Sequence, residues 1–182
     1  MGPEPRRFRL IVTGSREWSD YLALRGALGK ILEMIPPAWT LVVVHGGHEN
    51  PDYSTNADRI AQEWAIEMAA DGLPVDQEPW PADWEGPCRP ECEPGHRVNL
   101  RGVSLCPAAG PYRNQAMCDA GADLGLGALK VGTKSTGTRD CLVEMALRGI
   151  QFDLVVEGKA NGLPLASSVL QPPSGWPGRR TG

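Results

Sequence analysis

FRLIVTGSREWSDYLALRGALGKILEMI, Phe8–Ile35, contains one strand and one helix with a turn between them. Phe8–Gly14 is a short apolar run, rich in β-branched residues, that stops at a glycine. It predicts a buried strand. After the polar turn, Ser19 or Asp20 can cap a helix in which Leu24, Leu28, Ile31 and Ile35 recur at helical spacing. Pro36-Pro37 ends it.

The same unit recurs downstream. TLVVVHGG (Thr40–Gly47) reads as a second buried strand with a glycine exit, followed by the polar loop HENPDYST. NADRIAQEWAIEMAADG predicts a helix with Ala57, Ile60, Ala61, Trp64 and Met68 on one face and Gly72 as its stop. LPVDQEPW is a weaker third strand. Residues 81–111 read as a loop rich in Pro, Gly and Cys. PYRNQAMCDAG then predicts a helix with Pro111 in its first turn and Gly121 at its end. ADLGLGALKVG reads as a fourth strand despite its glycines, TRDCLVEMALRG as a helix beginning at Thr138, and IQFDLVVEG as a fifth strand. Strands alternating with helices imply an α/β fold: a Rossmann-like parallel sheet with helices on both faces, interrupted by a Cys/His-rich insertion. The domain is expected over residues 1–160, with the insertion at 85–110. The segment 161–182 (QPPSGWPGRRTG at its end) is expected to be a flexible tail.

Composition narrows the function. The chain has 182 residues, 41% hydrophobic, with a net charge of −4 and a pI near 5.4. No basic stripe is visible, so a mainly electrostatic grip on nucleic acid is not expected. No apolar run reaches the ~18 residues of a membrane span. MGPEPRRFRLIVTG reads as the approach to a strand and not as a secretory signal, so a cytoplasmic location with reduced thiols is expected. The oligomeric state, including a homo-oligomer, is left open.

In open parallel sheets, ligands sit beyond the carboxyl ends of the strands. Those ends carry TGSRE (Thr13–Glu17), HGGHEN (His45–Asn50), PADW (Pro81–Trp84) and GTKSTGT (Gly132–Thr138). Three of the four hold glycines or small hydroxyl residues where backbone amides can approach an anion. Arg16 and Arg113 are candidate anion clamps, and Arg113 also lies in the first turn of a helix. Asp58 suits either a ribose hydroxyl or the helix dipole. Trp80 and Trp84 flank the exit of the third strand and suit either stacking on a base or packing. Cys118 and Cys141 read as small buried apolar residues.

LIVTGSREW, VVVHGG, ADRIAQEWA, PADW, GPYRNQAM and STGTRD occur in an order that resembles the SLOG superfamily, named for the DNA-processing Smf/DprA proteins and the LOG phosphoribohydrolases. The likeness runs from about Arg9 to Ile150 and is strongest to its small single-domain, YspA-like branch of bacteria and phages. The resemblance implies a nucleotide or nucleotide-derived ligand at the carboxyl edge of the sheet. By position, Gly14, Ser15 and Arg16 would form the first ligand loop and Gly46 and Gly47 the second. Arg113 and Asn114 stand where LOG enzymes have Arg-Lys. Ser135, Thr136, Gly137 and Thr138 match the end of the family's phosphate loop. Lys134 and Ser135 replace that loop's first two glycines, and Cys141 occupies the place of the enzymes' catalytic glutamate. The expected function is therefore binding of a nucleotide-derived small molecule, as sensor, sequestering protein or weak enzyme. The alternatives are a nucleotide N-glycosidase and a DprA-like protein that associates with nucleic acid.

The insertion has its own chemistry. Cys88-x3-Cys92-x3-His96-x9-Cys106 places three of the five cysteines and one of the three histidines within nineteen residues. Zn²⁺ favours a tetrahedral Cys3His set in structural sites. Pro90, Pro94 and Gly95 disfavour a helix, so the ligands are expected on a wrapped loop. A Cys88–Cys106 or Cys92–Cys106 disulfide, or unrelated free thiols, are the other readings. The odd cysteine count and a reducing compartment argue against the disulfide. With all four positions protein-occupied, the ion would be structural and would fix the approach to the helix carrying Arg113 and Asn114.

Overall fold

The computed structural model describes residues 5–47 and 56–157. The polar loop over 48–55 and the expected tail over 161–182 lie outside the described residues. Strands β1 (Arg7–Gly14), β2 (Thr40–His45), β3 (Val75–Pro79), β6 (Leu124–Lys130) and β7 (Phe152–Glu157) form one parallel sheet in the order β3-β2-β1-β6-β7. Helices α1 (Tyr21–Met34) and α2 (Ala57–Ala70) follow β1 and β2, whereas α3 (Ala109–Asp119) precedes β6 and α4 (Thr136–Leu147) follows it. The chain winds one way from β1 to β3, then returns to the other side of β1 to lay down β6 and β7. The order therefore reverses between β1 and β6, where Gly14 pairs with Ala128. Connections leaving that point diverge to opposite faces and open a crevice at the carboxyl edge. The expected α/β Rossmann-like architecture is present.

Two apolar layers hold the helices on. On one face Leu24, Leu28 and Ile31 of α1 and Ile60, Ala61 and Trp64 of α2 pack against Leu10, Val12, Leu41, Val43 and Leu126. On the other, Met117 and Cys118 of α3 and Cys141, Leu142 and Met145 of α4 pack against Ile11, Val42 and Val44. Alternate residues of β1 thus face opposite layers, as pleating requires. Complete burial on both faces accounts for the unbroken apolar runs in the central strands. Asp20 caps α1 by accepting from the Ala23 amide at 3.0 Å, and Asn56 caps α2 by accepting from the Arg59 amide at 2.8 Å. The indole of Trp18, fully buried, donates to the Asp20 carbonyl at 2.9 Å and pins the entry to α1.

The glycines of β6 are packing devices. A Cβ at Gly125 would strike Met145 of α4 and lie 2.8 Å from Phe152, and one at Gly127 would lie 2.9 Å from Leu154 and 3.1 Å from Leu142. Below 3.0 Å real Cβ atoms are essentially never found, so Met145, Phe152 and Leu154 close on β6 where those side chains are missing.

Two expectations are corrected. The insertion is not wholly loop: β4 (Val98–Leu100) and β5 (Val103–Leu105) form an antiparallel hairpin. Its turn is Arg101-Gly102, both at positive φ (51° and 85°), the geometry of the tight hairpin turn that matches strand twist. And α4 begins at Thr136, not at Thr138, because Ser135 takes a left-handed conformation (φ 37°) and turns the chain into the helix early.

Asp153 on β7 is the exception in the core. It is 2% exposed, and neither carboxylate oxygen has a hydrogen-bond partner. Val155, two residues on, belongs to the α1–α2 layer. β7 is an edge strand, and an inward charge on an edge disfavours pairing with another chain. Burial pushes the carboxyl up to about 6. The unfolded chain loses this proton near pH ~3.9. Between the two values the native state holds a proton that the unfolded state has lost, so stability falls as pH rises through the window. Above it the ionised side chain costs on the order of 3 kcal/mol. Asp153→Asn should therefore raise the thermal midpoint clearly at pH 8 and hardly at pH 4. Equal shifts at the two pH values, followed by circular dichroism, would refute this account.

Candidate functional site

The carboxyl edge is organised around Gly46, the residue after β2. A Cβ there would collide with the guanidinium of Arg113, arriving from α3, and with the carboxylate of Asp58, arriving from the first turn of α2. Gly46 is therefore what lets an arginine and an aspartate meet against the backbone of the second loop. Arg113 is held by two donations: Nη1 to the Trp80 carbonyl at 2.9 Å, and Nε to Asn114 Oδ1 at 3.0 Å. Asn114, 4% exposed, carries the connection to α4. Its Nδ2 donates to the Gly137 carbonyl at 3.2 Å and to Asp140 Oδ2 at 2.8 Å. One polar chain thus links the second loop, α3 and the first turn of α4.

The remaining residues expected at this edge take distinct roles. Gly14, at the end of β1, has no room for a Cβ: it would strike Ala57 of α2 and lie 2.8 Å from Ala128 of β6. Ser15 is buried, donates its amide to the Ala128 carbonyl at 2.9 Å, and accepts from the Glu17 amide at 3.2 Å through Oγ. Arg16 is exposed, its guanidinium 5.8 Å from the centre of the Trp84 ring. Gly47 has φ +59°, a conformation that favours glycine. Ser135 stands at the N-cap position of α4 without a side-chain capping bond, and its hydroxyl lies 2.7 Å from that of Thr133. Thr136 and Gly137 are exposed in the first turn of α4, and Thr138 is buried. Of the conspicuous neighbours, His45 is fully buried and bonded through Nε2 to Gln77 Oε1 at 2.9 Å, while Nδ1 accepts the Gly47 amide at 3.2 Å. It is a structural histidine. Cys141 is wholly buried in the α3–α4 layer, where its bond with Cys118 and then desolvation push the thiol up.

The second constellation lies in the insertion. The ligand atoms of Cys88, Cys92, His96 and Cys106 all fall within 4.8 Å of one another, so one ion could touch all four. His96 Nε2 is 3.4 Å from Cys88 Sγ and 3.1 Å from Cys106 Sγ, and Cys92 Sγ is 3.9 Å from Cys106 Sγ. All five cysteines of the chain are free thiols. The surroundings suit a metal as well as the donors do. His96 Nδ1 lies 2.6 Å from the Glu93 carbonyl, which fixes it as the N–H and leaves Nε2 its lone pair. Arg97 Nη1 donates to Cys88 Sγ at 3.2 Å, a contact favourable to thiolate charge. The same guanidinium binds the carbonyls of Glu85, Gly86 and Ser104, tying the hairpin to the loop that carries Cys88.

Tyr112 and Arg97 were not singled out in the sequence as part of this centre. The Tyr112 hydroxyl is 3.5 Å from Cys92 Sγ, across twenty residues of chain, and the Arg89 guanidinium lies 4.2 Å over its ring. Tyr112 immediately precedes Arg113, so the cluster is joined to the helix that supplies the arginine. Cys106 adds a second tie. It is 3% exposed, its amide donates to the Trp84 carbonyl at 2.8 Å, and its carbonyl accepts from the Ala109 amide at 3.1 Å, where α3 begins.

The sequence profile of the YspA, cpYpsA-related SLOG family matches residues 8–86. The Gene 61 protein of Mycobacterium phage D29 is 37% identical over 142 residues, 78% of this chain and 91% of that protein. The chain belongs to this SLOG family. No solved structure gives a significant match. The profile ends at Gly86, two residues before the first cysteine of the cluster. Among the described residues no helix is long and apolar enough to cross a membrane.

The hairpin of the insertion leaves Val98, Leu100 and Val103 exposed, so the segment has little apolar core of its own. Cys92→Ser should lower the thermal midpoint well below that of Cys118→Ser, and a chelator should lower the wild type but not Cys92→Ser. Equal midpoints for the two variants, with no chelator effect, would show that no metal stabilises the fold.

Proposed function

We propose that this SLOG protein binds a nucleotide or nucleotide-derived small molecule at the carboxyl edge of its sheet, and that its Cys3His cluster holds a structural zinc ion. The observation that carries the first part is the convergence of Arg113, Asn114 and the first turn of α4 across the β1–β6 crevice. An acidic protein needs a fixed cation to hold a phosphate, and Arg113 is fixed by two hydrogen bonds. The amides opening α4, at Thr136 and Gly137, lie one residue chain away through Asn114. Gly14, Ser15, Arg16, Gly46 and Gly47 complete the rim.

Zinc is favoured by the donor set. A tetrahedral ion with Zn–S near ~2.3 Å and Zn–N near ~2.0 Å holds its ligand atoms roughly 3.5–3.8 Å apart. The separations of 3.1, 3.4 and 3.9 Å are close to that pattern. When bound, the ion supplies cross-linking and no chemistry, because its four positions are filled by the chain. Elemental analysis should find one zinc per chain after purification without chelator.

Arg113→Ala should weaken binding of a phosphorylated nucleotide roughly ten- to a hundredfold, the loss of one charge-assisted contact, while the melting temperature stays near that of the wild type. Calorimetric titration against nucleoside phosphates and ADP-ribose derivatives reads this directly. Unchanged affinity would move the site away from Arg113. Asp140 is a carboxylate already attached to the site through Asn114. Release of free base at ~1 s⁻¹ or faster, abolished in Asp140→Ala, would replace the binding reading with that of an N-glycosidase.

A further inference from the structure

We propose that Trp84 is the platform on which the base of the bound nucleotide stacks, and that the Cys/His cluster positions it. This rests on the nucleotide reading above and adds to it the residue that recognises the base.

Two tryptophans leave β3, and the structure separates them. Trp80 is committed to the fold. Its indole nitrogen donates to Glu78 at 2.7 Å, its amide donates to the His45 carbonyl at 2.8 Å, and its ring packs against the α3–α4 layer. Trp84 belongs to neither apolar layer. It is half-buried and spans the crevice: Arg16 of the first loop lies over its ring, and the edge of the ring rests on Gly110 in the first turn of α3. Gly110 has room for nothing more, since a Cβ there would lie 2.9 Å from Trp84 Cη2. Gly110 is three residues from Arg113, about one helical turn away along α3. Arg16 is the displaceable neighbour. It is exposed, and 5.8 Å from the ring centre is the outer limit of a cation–π contact. A nucleobase has a π-face of its own and stacks on an indole more closely than that.

The backbone of Trp84 is also fixed. Its carbonyl accepts the Cys106 amide at 2.8 Å, and Cys106 is a member of the cluster. The insertion thus sets the ring through Cys106 and the arginine through Tyr112, and the distance between base and phosphate subsites follows from one centre.

Adenosine monophosphate and ribose 5-phosphate share the phosphate and sugar and differ by the base, so the pair isolates the stacking contact. Calorimetry on the zinc-loaded full chain should show the nucleotide binding more tightly. Trp84→Ala should weaken it roughly five- to 150-fold, leave ribose 5-phosphate unchanged, and spare most of the affinity in Trp84→Phe. Gly110→Ala keeps a helix-compatible residue and crowds the ring, and should reproduce the selective loss with zinc content and melting temperature intact. Equal affinity of wild type for the two probes, or equal weakening of both in Trp84→Ala and Gly110→Ala, would overturn the role of Trp84 and leave the phosphate site standing. Binding of neither probe would remove the nucleotide reading and this one with it.

Discussion

Cys106 holds the two halves of the molecule in register. Its sulfur belongs to the metal-type cluster, its amide fixes Trp84, and its carbonyl starts α3. The segment it closes is too polar to bury a core, and its hairpin leaves Val98 and Leu100 half or more exposed. Burial of Met117 and Cys118 holds the body of α3, and the backbone bonds of Cys106 hold its beginning. Four ligand atoms converge there, an arrangement in which ligation free energy would become folding free energy with an ion bound. The approach of α3 then decides where Arg113 and Asn114 meet the second loop and α4.

Charge is distributed to serve the same edge. Several arginines are spent on surface pairs that contribute little, such as Arg7 with Asp76 and Arg59 with Glu63. Arg113 differs in being oriented by a backbone carbonyl and a buried amide side chain. Those bonds cost no carboxylate and leave the positive charge usable. Asp58 beside it at Gly46 sets a limit: an anion must compete with a resident acid, which favours ligands that also offer a hydroxyl for that acid to accept from.

The fold was legible where one physical effect acted alone. β1 and β2 are buried on both faces, so their apolar runs could be nothing else. The caps and stops of α1 and α2 follow from Asp20, Asn56 and Gly72, each a local choice. β6 was legible only against its composition, because the reason for Gly125 and Gly127 is the approach of α4, a contact the sequence does not display. The hairpin in the insertion was missed. Three residues per strand give alternation nothing to work on, and its Arg101-Gly102 turn carries half of the usual signal. At the site, the Cys/His spacing was enough to bring four ligands together, whereas Tyr112 could not be assigned because its partner is remote in sequence. The structure gives Gly14 and Gly46 a packing reason. They admit Ala57, Arg113 and Asp58, and only through those do they shape the crevice.

The shift in the start of α4 bears on chemistry. Cys141, which resemblance aligns with the LOG glutamate, is directed into the α3–α4 layer and is fully buried. A carboxylate there would be desolvated against Met117, Leu142 and Met145, at a cost that only a partner could offset. Adjacent positions on a helix point about 100° apart, so Asp140 leaves that layer and reaches Asn114. The acid at this helix is therefore bound to the residue standing where the enzymes have lysine. An amide donor holds a carboxylate without neutralising it, so this edge keeps a negative charge that a lysine would have cancelled. The chain thus ties the acid of this helix to Asn114, one helical step away from the position that the LOG glutamate occupies.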